Sequence, residues 1–265
     1  MIPQVIANGI VASALIIPVS LGLFLVYSTH RFIFFAYGAV VMIAPYVSWL
    51  LVKKVSLPLW FAGLIGVSSA VLLGWAIEAT FHAPARKRGM GSLPLLLLSI
   101  GCYAVIQNAV SLSFGNDILS FRDQLPQRLF VFGKAFVTNF QLGAVFIALF
   151  CTTAVAATFR LTSAGKCMRA VANCEVLSRI VGINTEFVYF SSMGAGCLLG
   201  GLAGVLIACD TDITPTMGMM PLMIGWVAPQ PGISGLLDGG EEGVRVQMND
   251  GAGHANSLDE RFQGL

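Results

Sequence analysis

Apolar residues do not alternate with polar ones along this chain. They come in long runs, and six of these, at 5–27, 32–52, 58–77, 93–113, 136–158 and 188–209, hold no charged side chain. A helix needs about 20 mostly apolar residues to cross about 30 Å of hydrocarbon, so each run predicts one spanning helix. Barrel strands would alternate apolar and polar residues over about ten positions, and these runs do not. A seventh run at 219–228 is too short to cross alone. The predicted fold is all-α: a polytopic transmembrane helix bundle of about six full spans and a partial seventh, filling residues 1–228.

Composition agrees. Of 265 residues, 56% are hydrophobic and 11% charged, with a mean hydropathy of +0.81, whereas a soluble domain carries about 25% charged residues. The net charge of +2 and the lack of a basic stripe with interleaved aromatics exclude a nucleic-acid binder. None of the six cysteines forms a CxxC pair or has a nearby histidine to complete a zinc site, so they read as small apolar residues and no metal is expected. His30, His82 and His254 are isolated along the sequence, which argues against a membrane enzyme and leaves no candidate catalytic residue. The start, MIPQ, lacks the basic region of a secretory signal, so the first run is expected to be retained.

Few polar side chains interrupt the spans. Asn8, Gln107, Asn108 and Gln141 are the largest, and such groups usually face a bundle interior and hydrogen-bond between helices. Asn8 and Asn108 are also candidates for lining a substrate path. Glu78 ends the third run just before Arg86, Lys87 and Arg88; it reads as an interfacial carboxylate near cations, and no span is expected to bury an acid of the kind that marks a proton relay. Pro18 and Pro45 sit inside spans and free backbone carbonyls. In the sixth run Gly196, Gly200 and Gly204 recur every four residues. That bares one helix face for close packing.

Lys and Arg concentrate in the loops after the third and fifth runs, at Arg86–Arg88 and at Arg160, Lys166, Arg169 and Arg179. The positive-inside tendency places these loops in the cytoplasm and the N-terminus outside, with Lys53 and Lys54 on the wrong side. The loop 114–135 is then external and long enough for a short surface helix. The internal loop 159–187 exceeds the two to eight residues of an ordinary helix connection. Thr162 or Ser163 is suited to cap a helix there and Gly182 to end it. Met168, Val171 and Ala172 form an apolar stripe that Glu175 and Arg179 interrupt, which disfavours a lipid-surface helix. A docking element and a plain solvated loop remain the two readings.

The stretch TSAGKCMRAVANCEVLSRIVGIN, followed by GCLLGGLAGVL, resembles the inner-membrane permeases of branched-chain amino acid ABC importers (the LivH type). Thr162, Gly165, Met168, Arg169, Ala170, Gly182, Ile183, Asn184, Ala203, Gly204 and Val205 carry the match. LLLLSIGCYAVIQNAVSLSFG, ANGIVASALIIPVSLGLFLVY and PTMGMMPLMIGWVA resemble further parts of the family, so the resemblance covers roughly residues 5–228. It implies a permease subunit that pairs with a second permease subunit (the same chain or a sister) in the lipid bilayer of the cell's inner membrane. Cytoplasmic ATPase subunits would power the pair, and an extracytoplasmic solute-binding protein would deliver substrate. The segment 159–187 would be the coupling segment, with Arg169, Ala170, Asn173, Glu175, Ser178 and Gly182 docking on the ATPase. No cofactor is bound by the chain itself; ATP chemistry belongs to the partners, since no Gly-x4-Gly-Lys-Ser/Thr loop is present.

Two departures stand out. The family's second span often opens N-F-A-H-G, where this chain has Phe34-Phe35-Ala36-Tyr37-Gly38. That widens the expected substrate class from branched-chain amino acids to other amino acids and small amides such as urea. After residue 228 the family would continue with apolar, Gly-rich sequence. Here residues 229–265 carry eight of the 28 charges, six of them acidic. The expectation is a shifted frame or truncation giving a polar, disordered tail; the rival is a genuine regulatory tail. The competing function is a secondary transporter or channel not powered by ATP, which would require ionisable residues or broken helices within the membrane.

Overall fold

In the computed structural model, residues 2–115, 117–121, 129–132 and 135–227 are described. The expectations for 229–265, and for His254 within it, lie outside the described residues. Six helices are long and apolar enough to cross a membrane: α1 (Ile2–His30), α2 (Tyr37–Val55), α3 (Leu59–Ile77), α5 (Ser92–Phe114), α6 (Asn139–Leu161) and α9 (Thr185–Asp210). Each coincides with one apolar run. α1 and α2 continue through Pro18 and Pro45. The partial seventh is α10 (Met219–Val227), nine residues and so about 14 Å long at 1.5 Å per residue. It lies along α1, where Trp226 meets Tyr27 edge to face at 5.1 Å.

Two features were not expected. α3 runs on without a break through a π-helical turn, Glu78–His82, into α4 (Ala83–Lys87), so Glu78 is inside a continuous helix and not in a loop. The connection after α5 holds no helix among its described residues. It holds an antiparallel hairpin, β1 (Leu129–Phe132) with β2 (Ala135–Thr138), and a backbone bridge between Leu119 and Ile213. Thr138 then caps α6, with Gln141 completing a capping box, and Gln141 Nε2 donates to Asp210 Oδ1 at 2.8 Å. This pair ties the starts of α6 and the end of α9 together at the end of the bundle opposite Arg86.

α9 is the enclosed helix of the bundle. Of its most apolar stretch 78% is buried, against 17% for α6, whose Phe146 and Phe150 are exposed. The glycine spacing explains why. Gly196 faces the Gly22 backbone of α1, where a Cβ would come within 2.8 Å of the Gly22 carbonyl oxygen. A Cβ on Gly200 would press on the Tyr37 ring at 2.7 Å, and one on Gly204 would overlap the Val41 carbonyl of α2. Tyr37 is fully buried and its hydroxyl donates to Gly196 O at 3.1 Å. The departure at residue 37 is thus a helix-packing residue seated on small neighbours.

An apolar groove of about 650 Å³ runs between α3 and α9, bordered by Trp60, Val67, Trp75, Ile147, Leu202 and Val205. It is lined by no charged side chain that could pair with the ionised ends of an amino acid.

Candidate functional site: the elbow and a buried ionic cluster

The segment 159–187 folds as two short helices, α7 (Ser163–Asn173) and α8 (Glu175–Ile180), broken at Cys174, whose backbone is extended. Thr162 caps α7 by accepting from the Gly165 amide at 3.4 Å. Gly165 is needed where it is: a Cβ there would overlap the Phe159 backbone. Met168 and Val171 are buried, as their stripe suggested. Gly182 leaves α8 with φ of +89°, a left-handed conformation that glycine adopts without steric cost. Asn184 caps α9 through the Phe187 amide at 3.2 Å. The elbow is held to the bundle from both sides. Arg169 Nη1 donates to Phe159 O at 2.8 Å, and Arg31 Nη2 donates to Ala172 O.

The residues expected to dock therefore divide. Arg169 is half-buried and turned toward α6, and Ser178 is buried with its hydroxyl donating to Cys174 O. Ala170 is half-buried; Glu175 is half-buried and bonded to Arg179 at 2.6 Å. Asn173 and Gly182 are exposed. The outward surface of α8 is made instead by Val176, Leu177, Ile180 and Val181, at 69%, 58%, 76% and 72% exposure. These apolar residues were missed because the stripe was read through α7 and α8 as one helix, and the break at Cys174 rotates the faces.

Of the polar span residues, Gln141 bonds between helices as expected, and Asn8 and Asn108 do not. Asn8 is exposed and accepts from Gln4 at 3.1 Å; Asn108 is exposed and donates to Ala104 O of its own helix. The two are not brought together in a common interior path.

A buried ionic cluster lies at the elbow end of the bundle, contrary to the reading that no span buries an acid. Glu78 is fully buried, and His30 and His82, isolated in sequence, meet it. Arg86 Nη2 donates to Glu78 Oε1 at 2.7 Å. Its Nη1 lies 3.3 Å from His30 Nδ1. A guanidinium has no acceptor, so His30 Nδ1 accepts and its proton sits on Nε2, 3.4 Å from Ser192 Oγ. Ser192 also receives the Thr29 hydroxyl at 2.8 Å. The Arg86 guanidinium stacks 3.8 Å from the Tyr189 ring centre, an arrangement arginine favours. One sequence signal pointed here: Glu78, His82 and Arg86 are spaced i, i+4, i+8, so they share one helix face. Among the described residues no group of three or more His, Cys, Asp or Glu is arranged to hold a metal ion.

Six apolar helices, an enclosed glycine-lined helix and a two-helix elbow at the basic end describe a multi-pass membrane protein, and its class comes from its relatives. Residues 5–228 match the family described as branched-chain amino acid transport system, permease component. The chain belongs to that family. It is 28% identical over 256 residues to the high-affinity branched-chain amino acid transport system permease protein LivH of Escherichia coli K12, covering 89% of this chain and 80% of the relative. It is 26% identical over 249 residues to LivH of Salmonella typhimurium, with the same coverage. It is 28% identical over 262 residues to the permease protein BraD of Pseudomonas aeruginosa, covering 89% and 83%. No solved structure matches.

Proposed function

We propose that the chain is the membrane subunit of an ABC importer, forming with a second permease subunit the path for branched-chain amino acids or related small amino-acid and amide solutes. The basic end, with the elbow, faces the cytoplasm in the inner membrane, and ATP is hydrolysed by partner subunits seated on the elbow. The chain itself performs no enzymatic step. An extracytoplasmic binding protein delivers the solute at the opposite end, beside Asp210 and the hairpin. The family membership supports the solute class. The observation that carries the elbow assignment is the exposed Val176, Leu177, Ile180 and Val181 surface on a helix outside the spans, since apolar side chains on a connection of this length call for a protein partner.

On this reading Asn173 and Gly182 border the docked surface. Arg169, Ala170, Glu175 and Ser178 hold the elbow's shape, and Gly196, Gly200 and Gly204 make α9 follow it. The test is co-purification with the ATPase encoded alongside. Leu177→Asp together with Ile180→Asp buries two carboxylates at the docking surface and is expected to lower ATPase retention at least about ten-fold, since disrupting even one interface hot spot costs about 2 kcal/mol or more and about 1.4 kcal/mol is ten-fold. The amount of chain in the membrane should not change. Full retention by the double variant would remove the elbow from the interface.

A further inference from the structure

Glu78 and Glu186 both approach one guanidinium. Arg86 Nη2 is 2.7 Å from Glu78 Oε1 and 3.8 Å from Glu186 Oε2. Glu186 lies in the first turn of α9, two residues after the Asn184 cap and directly after the elbow, while Glu78 belongs to the continuous third span. The other Glu186 oxygen is 3.8 Å from Lys87 Nζ. A cleft of about 360 Å³ bordered by Arg86, Lys87, Arg179, Thr185 and Glu186 leaves room for that carboxylate to close on Arg86. On the buried side, Glu78 Oε2 and both ring nitrogens of His82 have no hydrogen-bond partner, although His82 Nδ1 stands 3.5 Å from that oxygen. A buried polar group left without a partner is costly. An imidazole nitrogen this close to an unpartnered carboxylate oxygen is a second partner in reserve should the first withdraw. The π-helical turn that carries Glu78 and His82 has slack that a regular helix lacks, and such turns recur at functional positions.

We propose that Arg86 is a positioning residue of the transport cycle, a clasp that shifts from Glu78 to Glu186 as the elbow is displaced. In the present arrangement it binds the third span to the end of the first through His30 and to α9 through the Tyr189 ring. When the elbow brings Glu186 to hydrogen-bond distance, Arg86 follows it, and the His82 ring, whose Nδ1 stands 3.5 Å from Glu78 Oε2, becomes the partner of the freed carboxylate. Elbow displacement is thereby passed to the ends of three spans through one side chain. A lysine would keep the charge but lose the planar, two-pronged contact and the ring stacking.

The inference rests on the reading of the elbow as an ATPase dock, and the experiment separates the two. The full complex is reconstituted in vesicles with wild-type chain, Glu186→Gln or Arg86→Lys. Three quantities are read: ATPase retention, chain melting temperature, and solute taken up per ATP hydrolysed. The expected result is wild-type retention and melting for Glu186→Gln, with uptake per ATP reduced at least about five-fold, the lower end of typical coupling between sites. Arg86→Lys should fall in the same direction. Should Arg86→Lys fail to assemble, Glu186→Gln alone decides, because its side chain is partly exposed and its removal leaves Glu78 paired. Unchanged uptake per ATP in Glu186→Gln overturns the clasp while leaving the dock intact. A lowered melting temperature with unchanged uptake per ATP makes Arg86 a structural pin only, and also overturns it. A wild-type chain that retains no ATPase removes the docking reading and the clasp with it.

Discussion

Gly204→Ala tests the packing of the bundle at its tightest described contact between α2 and α9. A Cβ at residue 204 would overlap the Val41 carbonyl oxygen and lie 3.0 Å from the Val41 carbonyl carbon and 3.3 Å from its Cα. All three are backbone atoms, so no rotamer change relieves the clash. The two helices must part by on the order of 1 Å to restore normal contact near 3.5 Å. Overpacking of this kind costs about 1–3 kcal/mol. The alanine also brings a propensity gain of up to about 1 kcal/mol over glycine, which blurs a comparison with wild type. Gly101→Ala supplies the control: Gly101 is mid-helix in α5 and a Cβ there meets nothing within 4 Å. The propensity gain is common to both variants, so the difference between them isolates the clash. At about 2–4 °C per kcal/mol, Gly204→Ala should melt roughly 5 °C below Gly101→Ala. The assay is a thermal series on the detergent-solubilised chain, following the monodisperse fraction by size exclusion. Equal melting temperatures would refute the backbone-to-backbone contact and with it the account of the glycine repeat.

Two further predictions follow from exposure and from the opposite end of the bundle. Cys174 is exposed at the break in the elbow while Cys197 is fully buried in α9; single-cysteine variants treated with a membrane-impermeant maleimide should label at Cys174 only after cells are opened, and not at Cys197 under either condition, and labelling of Cys174 in intact cells would invert the proposed sidedness. Asp210→Asn keeps the shape that accepts from Gln141 but removes the charge from its 2.8 Å bond; a loss of roughly 1 kcal/mol or less is expected, because charge-assisted bonds exceed neutral ones by about that amount, and a melting temperature lowered by more than 10 °C would mean that Asp210 carries more than this one contact.

Span positions were legible because a bilayer demands about 20 apolar residues in a row, and the chain supplies them six times. The glycine repeat in α9 was equally legible as a flat face, but not what lies on it. Gly22, Tyr37 and Val41 come from other helices, and nothing at residue 200 announces the Tyr37 ring. The surroundings of Asn8 and Asn108, each bonded within its own helix, were not legible for a related reason. In α5 the two amides, Gln107 and Asn108, are adjacent and so point about 100° apart on a helix of 3.6 residues per turn, so the rule that polar groups point inward does not say which side of α5 faces the bundle. The elbow's start and end were marked by Thr162 and Gly182, both of which act locally. The break at Cys174 was not marked, since neither Asn173 nor Cys174 is a strong helix breaker. The ionic cluster was least legible: Arg86 and His30 are 56 residues apart, and each looked like an ordinary end-of-span residue.

The position of that cluster follows from the energetics of the chain as a whole. A carboxylate buried among apolar helices is tolerated only with a partner that replaces its lost water, and a chain with 11% charged residues has few to offer. Arg86, about two turns further along the same helix face and at the basic end, is where such a partner can be reached from solvent. α9 starts from the elbow with Glu186, then presses glycines against α1 and α2 along its length. A displacement of its first turn cannot be absorbed by side-chain rearrangement at those backbone contacts, so it must be carried into the neighbouring helices. The guanidinium clasp and the glycine face are in this sense two halves of one linkage: the first registers the movement of the elbow at the membrane border, and the second carries it through the bundle.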